Sequence, residues 1–175
     1  MWLPAILVST LLLLPAPGPA PDDKSVDFDP STDFTQIKTF SVGKGVLKSK
    51  KPELNSELVR KKIQDAYRTE LTRRGLQEQP PGSGADILVA WHFGSADKRE
   101  VDAWPVGRWG GGTRYTTTHF SEGTLVVDLL RLPARELLWR GIYHDDESNP
   151  SKISSNLPKD IQKLFDKYPV QPLKK

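Results

Sequence analysis

The sequence predicts an α+β domain: a single, mostly antiparallel β-sheet of about six strands with two helices packed on one face. Three observations carry that expectation. The first is residues 123–143, GTLVVDLLRLPARELLWRGIY, where two apolar runs flank a turn at Leu132-Pro133-Ala134. Before the turn, Leu125, Val127 and Leu129 alternate with Val126, Asp128 and Leu130. After it, Leu137, Trp139, Gly141 and Tyr143 alternate with Leu138, Arg140 and Ile142. Period-two alternation on both sides of a turn predicts a β-hairpin, and two largely apolar faces place it mid-sheet. Asp128 and Arg140 stand at matching distances from the turn and are expected to pair across it. The second observation is a pair of apolar stripes at helical spacing, one on either side of the chain's middle. The third is the order of elements: two strands, a helix, four strands, a helix.

Taken in order, Lys24–Asp29 (KSVDFD) reads as a first strand, and Pro30-Ser31-Thr32-Asp33 as a turn. Phe34 and Ile37 pin the following loop, and Lys38–Val42 (KTFSV) is the second strand. Residues 43–51, GKGVLKSKK, read as a flexible, basic, solvated connector. Asn55 is the expected N-cap of a helix running to about Arg74, with Val59, Ile63, Ala66, Tyr67 and Leu71 on its buried face. Gly75 sits where a left-handed residue closes a helix, with Leu76 placed for a Schellman contact. Ala85–Phe93 (ADILVAWHF) is the third strand, with Ile87, Val89, Trp91 and Phe93 on one face. Tyr115–Ser121 (YTTTHFS) has the Thr-rich character of an edge strand and leads into the hairpin. A second helical stretch begins at Asn149-Pro150 and ends at Pro169, with Ile153, Leu157, Ile161, Leu164, Phe165 and Tyr168 as its stripe. Pro158 is expected to kink it or to move its true start to about Leu157.

Composition bounds the class. At 175 residues, with 27% charged and 37% hydrophobic residues, the chain fits one globular domain rather than a disordered one. A net charge of +3 with dispersed basic residues argues against nucleic-acid binding. With no cysteine, the chain has no disulfide, thiolate nucleophile or cysteine-linked lipid. Residues 5–14, AILVSTLLLL, followed by PAPGPAP, have the length of a signal-peptide core and are too short to span a bilayer. The expected organisation is therefore a cleaved signal over 1–21, one domain over 22–169 with no transmembrane helix, and a frayed tail over 170–175.

Several stretches together resemble one family. These are VDFDPSTDFTQIKTF, a helix ending in RRGL, ADILVAWHF, the Trp/Gly stretch, EGTLVVDLL, LLWRGIY and IQKLFDKYP. Their order and wording resemble the bacterial domain-of-unknown-function family 4136 over about Val26–Pro169. The resemblance implies export to the bacterial envelope, with members often lipoproteins and no established activity. The absence of cysteine departs from the lipoprotein pattern, so a periplasmic or secreted form without cysteine lipidation is expected.

The residues that could carry function fall into two sets. Trp104, Arg108, Trp109 and Tyr115 lie in or beside a glycine-bearing stretch. Tryptophan stacks on sugars, enters membrane interfaces and anchors protein contacts, and Arg108 suits a carboxylate or phosphate. They form either a contact surface for an envelope protein, glycan or lipid surface, or a cap folded back on the sheet. The alternative is a metal or small-ligand site built from His92, His119, His144 and Asp145, with Asp146 and Glu147 nearby. No HExxH-type spacing supports it. No GxSxG elbow appears, Gly110–Gly112 lacks the GK[ST] ending of a phosphate loop, and adjacent acids point apart on an extended loop. The expectation is a non-enzymatic protein with no cofactor.

Overall fold

The structure, a computed structural model, describes residues 24–94, 102–105, 113–116, 123–145 and 147–173, with backbone alone at 102–105 and 113–116. The expected signal peptide lies outside the described residues. In chain order the elements are β1 (Lys24–Phe28), β2 (Thr39–Val42), β3 (Val46–Lys48), α1 (Glu57–Thr72), β4 (Gln77–Glu78), β5 (Ile87–Gly94), β6 (Asp102–Pro105), β7 (Thr113–Thr116), β8 (Thr124–Arg131), β9 (Glu136–His144) and α2 (Pro150–Phe165).

The α+β class holds, but the sheet differs from expectation. It has seven strands rather than six, ordered β1-β9-β8-β5-β2-β4, with β3 also pairing β5. It is mixed rather than mostly antiparallel. The pairs β1–β9, β9–β8 and β8–β5 are antiparallel, while β2–β5, β3–β5 and β2–β4 are parallel. The reason is the crossover: α1 carries the chain from β2 over the sheet and returns it in the same direction, which makes neighbouring strands parallel. The two extra strands are short. The supposed flexible connector contains β3, whose Val46 pairs His92, and the polar loop after α1 contains β4, whose Gln77 pairs Thr39. The strand expected at 115–121 begins earlier, as β7, and pairs with β6 in a separate two-stranded ribbon.

The central hairpin lies mid-sheet as its two apolar faces demand, with Asp128 opposite Arg140. Its inward residues Leu125, Val127, Leu129 and Trp139 join Ile87, Val89, Trp91 and Phe93 of β5 in the main core. The helices cover that face with the stripes read from the sequence. Val59, Ile63, Ala66, Tyr67 and Leu71 come from α1, and Ile153, Leu157, Ile161, Leu164 and Phe165 from α2. Each such large side chain contributes about 1.5–3 kcal/mol on burial.

The helix ends follow elementary capping rules. Ser56, one residue after the expected Asn55, caps α1 by accepting from Val59 N at 3.3 Å, while Asn55 bonds Ser49 N and Ser49 O instead. At the other end Leu76 N donates to Leu71 O (3.2 Å) and Gly75 N to Thr72 O (3.0 Å), with Gly75 at φ +87, a Schellman closure. Asn149 caps α2 by accepting from Ser151 N and Lys152 N, with Pro150 in its first turn. The helix starts there and runs through Pro158, so the expected late start at Leu157 is corrected. Proline has no N–H, so the carbonyl four residues earlier, Ser154 O, lacks its helical donor. Lys62 of α1 supplies one: its Nζ donates to Ser154 O at 2.8 Å and lies 2.9 Å from Ser154 Oγ.

A second tie joins the C-terminal ends. The buried Arg74 guanidinium donates to Glu70 O and Oε2, to Phe165 O and to Val170 O, and lies over the Phe165 and Tyr168 rings. Contacts between the two starts and between the two ends mean that α1 and α2 run side by side in the same direction. Beyond α2 the chain stays attached, with Leu173 N donating to Arg73 O at 2.8 Å.

Candidate functional site

β5 and β8 are adjacent antiparallel neighbours whose ends meet at the pair Gly94↔Thr124. Such a pair can be closed by a two-residue hairpin. Residues 95–123 intervene instead, and they carry the ribbon β6–β7 and the Trp/Gly stretch. Binding and catalytic residues concentrate on connecting segments held by a rigid scaffold.

The stem of this excursion is built to one geometry. Gly94 has φ +124, and a Cβ there would stand 1.9 Å from Lys48 O. Gly123 has φ +84, and a Cβ there would stand 2.7 Å from Asp145 O. Only glycine fits both the left-handed backbone and the close approach. Thr124 Oγ1 lies 3.3 Å from His144 Nδ1 across the β8–β9 pair, and Asp145 N donates to Gly123 O. One exit is thus clamped by β3 and the other by the end of β9.

The sheet face opposite the helices descends from this stem. Along β8 it carries Thr124, Val126, Asp128 and Leu130, all buried. At its centre Arg140 Nε donates to Asp128 Oδ1 and Arg140 Nη2 to Asp128 Oδ2, both at 2.6 Å, a bidentate pair with each side chain below one-tenth exposed. The geometry is that of a strong charge-assisted pair, and its burial makes it intolerant of losing one member. The backbone of β6 approaches β9.

Of the first candidate set, Trp104 lies in β6 opposite Arg114, and Tyr115 in β7 opposite Ala103, so they occupy neighbouring rather than facing register positions. Arg108 and Trp109 lie outside the described residues. Of the second set, His92 and His144 are described and His119 is not. His92 stands in the row of Val126 and Ile142, and His144 in the row of Thr124 and Gly94. They are therefore two strands and two residues apart, about 12 Å between Cα atoms by standard sheet spacing. Asp145 turns away from both roles, its Oδ1 accepting Glu147 N at 2.9 Å. Glu147 in turn accepts from Asn149 N and pairs with Lys152. Among the described residues no three His, Asp or Glu side chains gather as a metal would require. Thr124 Oγ1 and His144 Nδ1 stand 3.3 Å apart, while Asp145 Oδ1 is engaged by Glu147 N.

The stem glycines were not among the residues singled out from the sequence. The signal was present: Gly94 and Gly123 each stand at the excursion-side end of an apolar run, and those two runs pair with each other.

The family model of a domain of unknown function (DUF4136) matches residues 24–170. The chain belongs to that family. Among solved structures, a DUF4136 family protein from Bacteroides thetaiotaomicron is similar at TM-score 0.61 with 15% identity, covering 83% of this chain and 95% of that one. A PDZ domain protein from Parabacteroides distasonis is matched at TM-score 0.47 and 13% identity, over 85% of this chain and 36% of that one. The PelC dodecamer of Paraburkholderia phytofirmans is matched at TM-score 0.46 and 11% identity, over 81% and 94%. A comparison with curated proteins finds no match. The first likeness shows a shared fold.

Proposed function

We propose that this member of the DUF4136 family is a non-enzymatic, exported envelope protein, a binding or structural module. Its contact element is the Trp/Gly-rich excursion between β5 and β8. The carrying observation is the stem: two paired strand ends that need no long connection hold one, through two glycines that admit no side chain. Binding loops are commonly carried on a hydrogen-bonded scaffold. Trp104, Arg108, Trp109 and Tyr115 are the residues proposed to meet an envelope protein, glycan or lipid surface, acting in the periplasm or outside the cell.

The test is tryptophan fluorescence with a soluble quencher. Trp91 and Trp139 are 2% and 0% exposed, so both are shielded, and a Trp104→Ala/Trp109→Ala double variant isolates the excursion's signal. Strong quenching of that difference signal in the free protein, with protection by peptidoglycan or by vesicles, supports the proposal. A difference signal that is already shielded, together with a destabilised double variant, makes the excursion a cap and rejects it.

A further inference from the structure

We infer that the outer surface of the helical layer docks on an anionic phospholipid bilayer, independently of the excursion between β5 and β8. The helices α1 and α2 carry seven basic side chains against four acidic ones, Glu57, Asp65, Glu70 and Asp160. Glu70 and Asp160 are buried and paired with Arg73, Arg74 and Lys163, and at the surface Arg60 pairs with Glu57, Lys61 with Asp65, Arg68 with Asp65 and Glu78, and Lys152 with Glu147. Basic excess is thus concentrated on this layer, in a chain whose total charge is only +3. Both helices also point their positive dipole ends the same way, which adds to the potential at one end of the layer.

Charge alone would suit any polyanion. The apolar content selects a bilayer. Leu58, in the first turn of α1, is 79% exposed, the most exposed of the large hydrophobic side chains among the described residues. It stands at the mouth of a shallow groove of about 420 Å³ between the helices, lined also by Lys61, Lys62, Asp65, Ala66, Thr69 and Pro158, where Lys61 pairs with Asp65 and Lys62 bonds Ser154. Lys159 is exposed next to Pro158. An exposed leucine and proline flanked by lysines is the composition of an interfacial face: the apolar groups enter the headgroup boundary and the Lys61 and Lys159 ammonium groups meet lipid phosphate. A phosphate polymer in water gives Leu58 nothing to enter.

The experiment is co-sedimentation of the full chain with vesicles of phosphatidylcholine alone, or with about one-third phosphatidylglycerol. Each lysine near such a surface is worth about 5-fold in partitioning, so Lys61→Gln/Lys159→Gln is expected to lose about 30-fold on the anionic vesicles. Leu58→Asn is expected to lose about 10-fold. Raising salt from about 0.1 M to about 1 M shortens screening from about 10 Å to about 3 Å and should release the wild-type chain. All three side chains are exposed, so the variants keep the wild-type melting transition. Every variant carries the same apolar N-terminal segment, so any binding by that segment cancels between them. Equal partitioning onto both vesicle types, or unchanged binding of both variants, overturns the proposal. So does binding to soluble polyphosphate that depends on the lysines and ignores Leu58→Asn, because the face then reads phosphate rather than lipid.

Discussion

Lys62→Met should destabilise the domain because Pro158 has made that lysine necessary. The proline leaves Ser154 O without a backbone donor, and Lys62 Nζ fills the place at 2.8 Å while reaching Ser154 Oγ at 2.9 Å. Methionine keeps most of the stem that packs along the helix and removes only the donor. A hydrogen bond to a charged group contributes about 1.5–3 kcal/mol, and water can partly replace this one because Lys62 is only half-buried. The expected cost is therefore about 1–2 kcal/mol. In a Pro158→Ala background the residue at 158 donates its own N–H to Ser154 O, and Lys62→Met should then cost less than about 0.5 kcal/mol. A double-mutant cycle in urea, followed by far-UV circular dichroism, should give a coupling of about 1 kcal/mol. Pro158→Ala alone should stabilise, since proline in a helix interior is unfavourable by about 3 kcal/mol before local compensation. If the Lys62 cost is the same with and without the proline, the two are not partners and the account of α2 is wrong.

Arg140→Met should cost about 3 kcal/mol by leaving the Asp128 carboxylate short of its bidentate partner, and Asp128→Leu/Arg140→Met should recover much of it in thermal melts. Tyr67→Phe and Tyr168→Phe should be neutral or stabilising by up to about 1 kcal/mol, because both hydroxyls are buried without a partner; a clear loss would mean that the hydroxyls are satisfied. Gly45→Ala should cost about 3 kcal/mol, since its Cβ would fall 2.0 Å from Trp91 Cε2 at φ +67, whereas Gly82→Ala, with no atom within 4 Å, should cost only about 1 kcal/mol of backbone strain. The Asp86 carboxyl is held below its ordinary value by the Lys38 N–H first, then by the Thr39 N–H and hydroxyl. Its folded pKa lies below the unfolded one, so its contribution is present above about pH 4 and is lost as pH falls through the folded value. Asp86→Asn should therefore flatten the stability curve below about pH 4 in acid titrations, and an unchanged slope would remove Asp86 from the account.

The parts legible in the sequence were those fixed by period or by local chemistry. The hairpin at 123–143 carried its register in the matched positions of Asp128 and Arg140, and Gly75-Leu76 announced the end of α1. β3 and β4 were not legible, because two or three residues at a parallel pairing have no period of their own. Their strand state comes from β5 and β2 beside them. Pro158 misled for a related reason: the penalty of a helix proline is local, and its relief comes from Lys62 on another helix. The same division holds at the site. Trp104, Trp109 and the neighbouring glycines marked the excursion by composition. That its ends form a single clamped stem depends on β5 and β8 lying side by side, which is a tertiary fact.

The distribution of polar atoms suggests why the excursion leaves from this stem and no other. On the helical face the charged groups that reach the core, Glu70, Arg74 and Asp160, are each matched within the layer, and Lys62 closes the gap that Pro158 opens. That face is complete: any segment inserted there would have to break a matched pair. On the opposite face one ion pair is sunk among Val126, Leu130 and their neighbours, a narrower apolar bed with no helix on it among the described elements. A two-residue turn at β5–β8 would remove the ribbon that approaches β9. Shortening the excursion to a two-residue Asn-Gly hairpin between Gly94 and Thr124 separates the two roles. If β6 and β7 serve only a partner, the shortened chain melts where the full chain does. If they also shelter the pair, the shortened chain loses stability, and Asp128→Leu/Arg140→Met restores it.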